Sequence, residues 1–218
     1  MSDVITIDGP VSSGKNSVAL LFSQKIGYQL IDSGFIYRAF GAAILRDGIS
    51  PDDDAVVKKT LETIRLQYLD GDSPRVSLDG EDITDKLHTS EITKITPLIA
   101  AKKFVREIAN KMQKKLAAEK DTVMTGRDIG SEIFPEAKLK FYLTATPEVR
   151  SKRRFEQLKQ TNPSLTYEEV LKQVKERDRQ DTEREVSPLR KPADAIVIDT
   201  TNLSTKESVE EFMKYYKK

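Results

Sequence analysis

Gly9-Pro10-Val11-Ser12-Ser13-Gly14-Lys15-Asn16-Ser17 stands between a strand-like run, Val4-Ile5-Thr6-Ile7, and a helical pattern of Val18, Leu21, Phe22 and Ile26 closed by Gly27. Strand, glycine-bearing loop and helix opening form the context of a phosphate loop. Gly9 and Gly14 permit positive φ and close approach of backbone to ligand. The exposed N–H groups and the positive end of the next helix attract anions, and Lys15 adds a mobile charge for β and γ phosphates. The usual pattern has Ser or Thr directly after the lysine, whereas here Asn16 stands there and Ser17 follows. The alternative is a tight strand-to-helix turn with an incidental lysine, and the context favours the phosphate site.

Working outward, Gly27 to Ile31 is a second short strand and Asp32-Ser33-Gly34 ends it. Ile36, Phe40 and Ile44 then recur at helical spacing as far as Asp47-Gly48, with Asp32 or Ser33 as the cap. Tyr37 and Arg38 lie near the anion-attracting end of this helix. Taken singly, such residues are packing or solvated surface.

Residues 50 to 90 change character. A helical run to about Ile64 precedes short strand-like pieces at Gln67-Tyr68-Leu69, Arg75 to Leu78 and Glu81 to Ile83. Gly71-Asp72-Ser73-Pro74 and Asp79-Gly80 separate them and signal hairpin turns. A helical stretch from Ser90 to about Ala118 is expected to break near Pro97. Its buried stripe reads as Phe104, Val105, Ile108 and Met112, with Arg106 off the stripe.

Asp121 to Thr125, Leu139 to Leu143 and Ala195 to Ile198 read as further strands. Thr146-Pro147 opens a helix on which Arg150, Arg153 and Arg154 share a face. Thr166 with Glu169 and Ser204 with Glu207 form capping boxes, and the last helix runs into a basic tail. Strands alternating with helices predict an α/β fold with a parallel, doubly wound sheet. Ligands in such sheets bind beyond the carboxyl ends of the strands. Gly9, Asp32 and Asp128 each follow a predicted strand, so they are expected to converge.

The chain has 218 residues, with 33% charged, 38% hydrophobic and a net charge of +1. Near-neutrality supplies no global attraction to nucleic acid or acidic membranes. Absence of cysteine excludes disulfides and thiolate metal sites and suits a reducing compartment. A strand so close to Met1 argues against a signal peptide, and no apolar run approaches the roughly 18 residues of a membrane helix. A cytoplasmic monomer is the expectation.

Arginine discriminates among the uses of a phosphate loop. Arg177, Asp181 and Arg184 share one helix face. An ordinary solvated ion-pair helix is the alternative. With Arg38, Arg106, Arg127 and the Arg150 to Arg154 cluster, they suit a reaction in which two phosphorylated molecules must meet. Phosphoryl transfer passes through a highly anionic transition state, so positioning and charge compensation dominate. Rigid, bidentate arginine serves that task better than lysine.

These runs resemble the bacterial cytidylate kinases. The matching segments are ITIDGPVSSGKNSVA, LIDSGFIYRA, LDGEDITDKL, FVREIA, GRDIGSEIFPEA, RSKRRFEQL, KERDRQDTERE with SPL, and VIDTTNLS. They span nearly the whole chain in the family's order. The resemblance implies transfer of phosphate from ATP to CMP or dCMP with Mg²⁺, and neither nucleic acid nor membrane as partner. It implies a phosphate-loop kinase core at 1–50 and 121–218, a lid around 148–184, and a monophosphate-binding insert at 51–120.

By the same resemblance Gly9, Pro10, Val11, Ser12, Ser13, Gly14, Lys15, Asn16 and Ser17 hold the ATP phosphates, with Arg154 on the ATP side. Ser17 takes the loop's usual hydroxyl position and faces the metal. Ser33, Tyr37, Arg38, Arg106, Arg127, Asp128, Arg177, Asp181 and Arg184 contact the monophosphate substrate. Arg106 and Asp128 read the cytosine edge, where a carboxylate suits the exocyclic amine. Lys15, Arg127, Arg177 and Arg184 are the implied catalytic set. Asp128 has a competing reading as a Mg²⁺-holding carboxylate.

Several positions depart from the family pattern. Ser12 stands where glycine is usual, and Asn16 where Gly or Ser is. His88 replaces an arginine, Lys102-Lys103 replaces an apolar pair, and Pro97 replaces a serine near the base, with Thr96 as a substitute. Another small-molecule kinase or a broader monophosphate kinase is therefore the second reading. An RNA-contacting module is the third, and the near-neutral charge speaks against it.

Overall fold

The computed structural model describes residues 2–69, 71, 73–160 and 162–216. Its elements in chain order are β1 (Val4–Asp8), α1 (Lys15–Ile26), β2 (Gln29–Asp32), α2 (Ser33–Arg46), α3 (Asp54–Thr63), β3 (Leu66–Leu69), β4 (Arg75–Leu78), β5 (Glu81–Asp82), α4 (Ser90–Ala100), α5 (Lys103–Ala117), β6 (Thr122–Gly126), β7 (Leu139–Thr144), α6 (Pro147–Lys159), α7 (Tyr167–Glu183), β8 (Ile196–Asp199) and α8 (Thr205–Tyr215). They form two compact units. One comprises Val4–Tyr28 with Val123–Lys218, and the other Met1–Asp3 with Gln29–Thr122.

In the first unit β6, β1, β7 and β8 lie side by side in that order. β1 with β7 and β7 with β8 run parallel, Ile7 opposite Phe141 and Phe141 opposite Ile196. With helices packed around a mostly parallel sheet, this is the α/β class expected. Ile5 and Ile7 are buried to 1% and 0% exposure. α1 and α8 pack together over Phe141, whose ring stacks on Phe212 at 3.8 Å, with Phe22 edge-on to both at 6.0 and 5.2 Å. Both expected capping boxes are present, at Thr166–Glu169 and Ser204–Glu207. The tail residues Lys217 and Lys218 lie outside the described residues, as does Asp72 in the insert turn.

In the second unit β3, β4 and β5 form the expected antiparallel sheet. Asp79 and Gly80 take φ of +52° and +92°, the two-residue turn whose twist matches a hairpin. α2 buries Ile36, Phe40 and Ile44 completely and packs against α4. A Cβ on Gly41 would stand 3.0 Å from Ile95 Cγ2, so these two helices meet closely. Residues 29–50 thus lie in the same compact unit as 51–122.

Two local expectations are corrected. α4 runs through Pro97 and the helix breaks later, at Ala101 and Lys102. Proline removes one N–H from the ladder, yet the buried face of Ile92, Ile95 and Ile99 holds the helix together. In α5 the buried stripe is Val105, Ala109, Gln113 and Leu116 with Arg106 included, while Phe104, Ile108 and Met112 are only partly buried.

Candidate active site

The phosphate loop begins where β1 ends. Gly9 has φ of +153°, and a Cβ there would stand 2.0 Å from the Leu143 carbonyl oxygen on β7. Only glycine lets the chain cross that strand. Gly14, at φ +89°, caps α1. Ser12 also adopts positive φ, +57°, at the place where the related pattern has glycine. A side chain in that region costs about 1–2 kcal/mol. Ser12→Gly is expected to raise the unfolding free energy by roughly 0.5–1 kcal/mol after glycine's extra unfolded-state entropy is set against the relieved strain. Urea denaturation checks this, and an unchanged or lower midpoint would contradict it.

Lys15 is 7% exposed and its Nζ donates to the Pro10 carbonyl at 3.0 Å. The ammonium is thus drawn into the loop's own cradle. Asn16 and Ser17 are exposed on the first turn of α1. Two arginines of α6 grip the outside of the loop. Arg150, 4% exposed, donates to Val11 O at 3.2 Å and to Ala145 O at 2.9 Å, and pairs with Asp178 at 2.7 Å. Arg153 donates to Ser13 O at 3.4 Å and to Thr200 O at 2.6 Å. Holding these carbonyls outward turns the loop's N–H groups toward an anion. Arg154 is half-buried on the same helix, and burial lowers its pKa.

The second cluster in this unit centres on Asp181 of α7, 2% exposed. Its carboxylate accepts from Arg127 Nε at 2.8 Å and meets Arg177 Nε at 3.3 Å and Arg184 Nη1 at 4.0 Å. Burial alone would raise the pKa of Asp181, and the facing Arg127, Arg177 and Arg184 outweigh it, so the carboxyl is held below the ordinary range. The solvated ion-pair alternative for this helix face does not hold at Asp181. Arg184 also reaches Asp128 Oδ1 at 3.5 Å and donates to Ser187 O at 2.6 Å. The Arg127–Asp128 segment enters a single wide helical turn, Ile129–Ile133.

In the other unit, Ser33 is 6% exposed at the start of α2, where Asp32 accepts from Gly34 N. Arg106 is 4% exposed, donates to Ala100 O at 2.9 Å and to Tyr37 Oη at 3.4 Å, and lies 5.4 Å from the Tyr37 ring centroid. Arg38 donates to Leu87 O at 2.9 Å and Thr93 Oγ1 at 3.1 Å. Thr96 spends its hydroxyl proton on Ile92 O at 2.6 Å, so only its oxygen can serve a base. His88 is exposed, edge-on to Phe35.

Sequence reasoning missed Asp8 and Asp178. Asp8, 1% exposed, accepts from Ile129 N at 3.0 Å and Gly130 N at 2.7 Å. The available signal was an aspartate ending a strand of β-branched residues, Val4 to Asp8. Among the described residues no group of three or more His, Cys, Asp or Glu could hold a metal, and no helix is long and apolar enough to cross a membrane.

The family model described as cytidylate kinase matches residues 5–218. A curated cytidylate kinase of Caldicellulosiruptor bescii is 41% identical over 98% of this chain and 95% of its own length. That of Caldanaerobacter subterraneus is 42% identical over 94% and 91%. A solved uncharacterized protein from Eubacterium ventriosum shares the fold at a TM-score of 0.54 and 14% identity, covering 98% of each chain. With its phosphate loop, its arginine cluster and this match along almost its whole length, the chain belongs to the cytidylate kinase family.

Proposed function

We propose that this protein transfers the γ-phosphoryl group of ATP to CMP or dCMP, with the Asp181 cluster compensating charge at the transferred group. The observation that carries the reading is one buried carboxylate gathering Arg127, Arg177 and Arg184 in the same unit as the phosphate loop. Three guanidinium groups against Asp181, with Asp128 also facing Arg184, leave positive charge in excess. Each arginine keeps N–H donors beyond those spent on Asp181, and the shared anchor fixes their forks beforehand. Charge placed in advance is worth more to an anionic transition state than charge that must be recruited.

In the proposed cycle Gly9 to Ser17 wraps the ATP phosphates, Lys15 leaves Pro10 O for the β and γ oxygens, and Arg154 supports the ATP side. Ser33, Tyr37, Arg38, Arg106 and Asp128 hold the monophosphate nucleotide, Asp128 accepting from the cytosine amine. Arg127, Arg177 and Arg184 neutralise the phosphoryl group as it moves. Ser17, exposed on the first turn of α1 two residues after Lys15, offers its hydroxyl to a Mg²⁺ carried on ATP. Mg²⁺ would neutralise phosphate charge. Residues 51–120 serve as the monophosphate-binding insert and 148–184 as the lid of a cytoplasmic monomer.

A coupled assay with CMP, dCMP, UMP, AMP and GMP tests the assignment. Turnover with CMP or dCMP is expected to exceed that with the purines by about a hundredfold or more; purine turnover of equal rate would reject it. Thr96, whose proton is committed to Ile92 O, and Pro97 favour one second reading. This is a broader pyrimidine monophosphate kinase, revealed by comparable turnover of UMP.

A further inference from the structure

We infer that Asp8 is a positioning residue for this reaction: through the backbone N–H groups of Ile129 and Gly130 it ties the base of the phosphate loop to the turn that presents Arg127 and Asp128. The inference rests on the functional reading above for what Arg127 and Asp128 do, but its geometry stands apart from it.

Asp8 is the last residue of β1 and the residue directly before Gly9. Both of its carboxylate oxygens are used, Oδ1 by Ile129 at 3.0 Å and Oδ2 by Gly130 at 2.7 Å. A group so engaged, at 1% exposure, is built into the protein interior. It is a two-pronged acceptor for a turn whose amides have wide, non-standard geometry. The space is fitted to backbone alone: a Cβ on Gly130 would lie 2.7 Å from Thr6 Oγ1 and 3.4 Å from Asp8 Oδ2. Arg127 and Asp128 immediately precede the two amides held, so their direction follows from this anchor. Arg127 in turn meets Asp181, and Asp128 meets Arg184. A shift of the anchor would therefore reach the whole arginine cluster.

The charged neighbours are Asp128, which opposes ionisation of Asp8, and Lys15, which favours it. Tyr142 of β7 also faces Asp8. Lys140, beside Gly130, directs its Nζ to Pro135 O and Asp194. Burial raises the Asp8 carboxyl to about 6 against the pull of the two amides. Protonation removes an acceptor lone pair from one of the two N–H groups, so the anchor weakens as pH falls through that value.

Asp8→Asn tests this, because an amide can accept from only one of the two N–H groups and turns its own NH₂ on the other. The expected result is a fall of tenfold or more in kcat/KM for CMP with the Kd for ATP within twofold. In kcat at saturating substrates the wild type is expected to show an acid limb near pH 6 that vanishes in the variant; kcat is the readout because kcat/KM also carries the second phosphate ionisation of free CMP, at about 6. A folded variant with wild-type kcat/KM, or one that keeps the acid limb, overturns the inference. If the variant does not fold, NMR of the wild-type chain without substrate decides. The Ile129 and Gly130 amides should titrate with the Asp8 carboxyl carbon at one midpoint, and amides that stay flat through that transition overturn it. This readout needs no substrate, so it separates failure of the anchor from failure of the kinase reading.

Discussion

Arg184→Ala is expected to lower kcat for CMP phosphorylation by about a thousandfold, the range in which a guanidinium acting on a transferred phosphoryl group is measured. The fold should survive. Arg184 lies just past the end of α7, its side chain is 23% exposed, and its contacts to Asp128 and Asp181 are long, at 3.5 and 4.0 Å. What the variant removes is positive charge held at the cluster, since Asp181 keeps Arg127 and Arg177. Binding of ATP should change little, because the phosphate loop is built by β1, α1 and α6. Steady-state kinetics with circular dichroism of the same preparation checks the point, and wild-type kcat in a folded variant would remove Arg184 from the catalytic set.

Gly9→Ala is expected to weaken ATP binding by about a hundredfold, the scale associated with displacing a positioned group by about 1 Å. The new Cβ would stand 2.0 Å from the Leu143 carbonyl, which is backbone within the parallel sheet and cannot rotate away. The loop must lift instead, and its N–H groups leave the positions that Arg150 and Arg153 set from outside. Overpacking of this kind also destabilises by about 1–3 kcal/mol. Calorimetric titration with ATP measures the first effect and thermal unfolding the second. Wild-type affinity would mean that the loop tolerates the crossing in another conformation.

The Ser12 and Asp8 variants probe the same loop from its strained residue and from its root. Together with Gly9 they separate the loop's own conformation from the anchoring that surrounds it. A stabilised Ser12→Gly chain that still binds ATP, beside a Gly9→Ala chain that does not, would locate the loop's requirement at the strand crossing.

Much was legible in the amino-acid sequence alone, wherever the requirement is local. The phosphate loop, the Asp79-Gly80 hairpin and the capping boxes at Thr166 and Ser204 all follow from residues within a few positions of each other. The chemistry of a single turn, whether positive φ, a side-chain oxygen for an orphan N–H or an alternating period, selects them. The pairing of Arg177 with Asp181 on one face of α7 was legible for the same reason, whereas Arg184 falls on the extended residue that ends the helix. Hydrophobic periodicity failed at the charged residues. It left Arg106 off the buried stripe and could not give Asp8 a role, because periodicity counts every charge as solvent-facing.

Tertiary structure alone decided which charges go inside. A buried charge is tolerated only where distant groups satisfy it. Asp8 meets Gly130 across 122 positions, and Arg150 meets Val11 across 139. Such partners share no local pattern, so they become visible only when the strands are laid side by side.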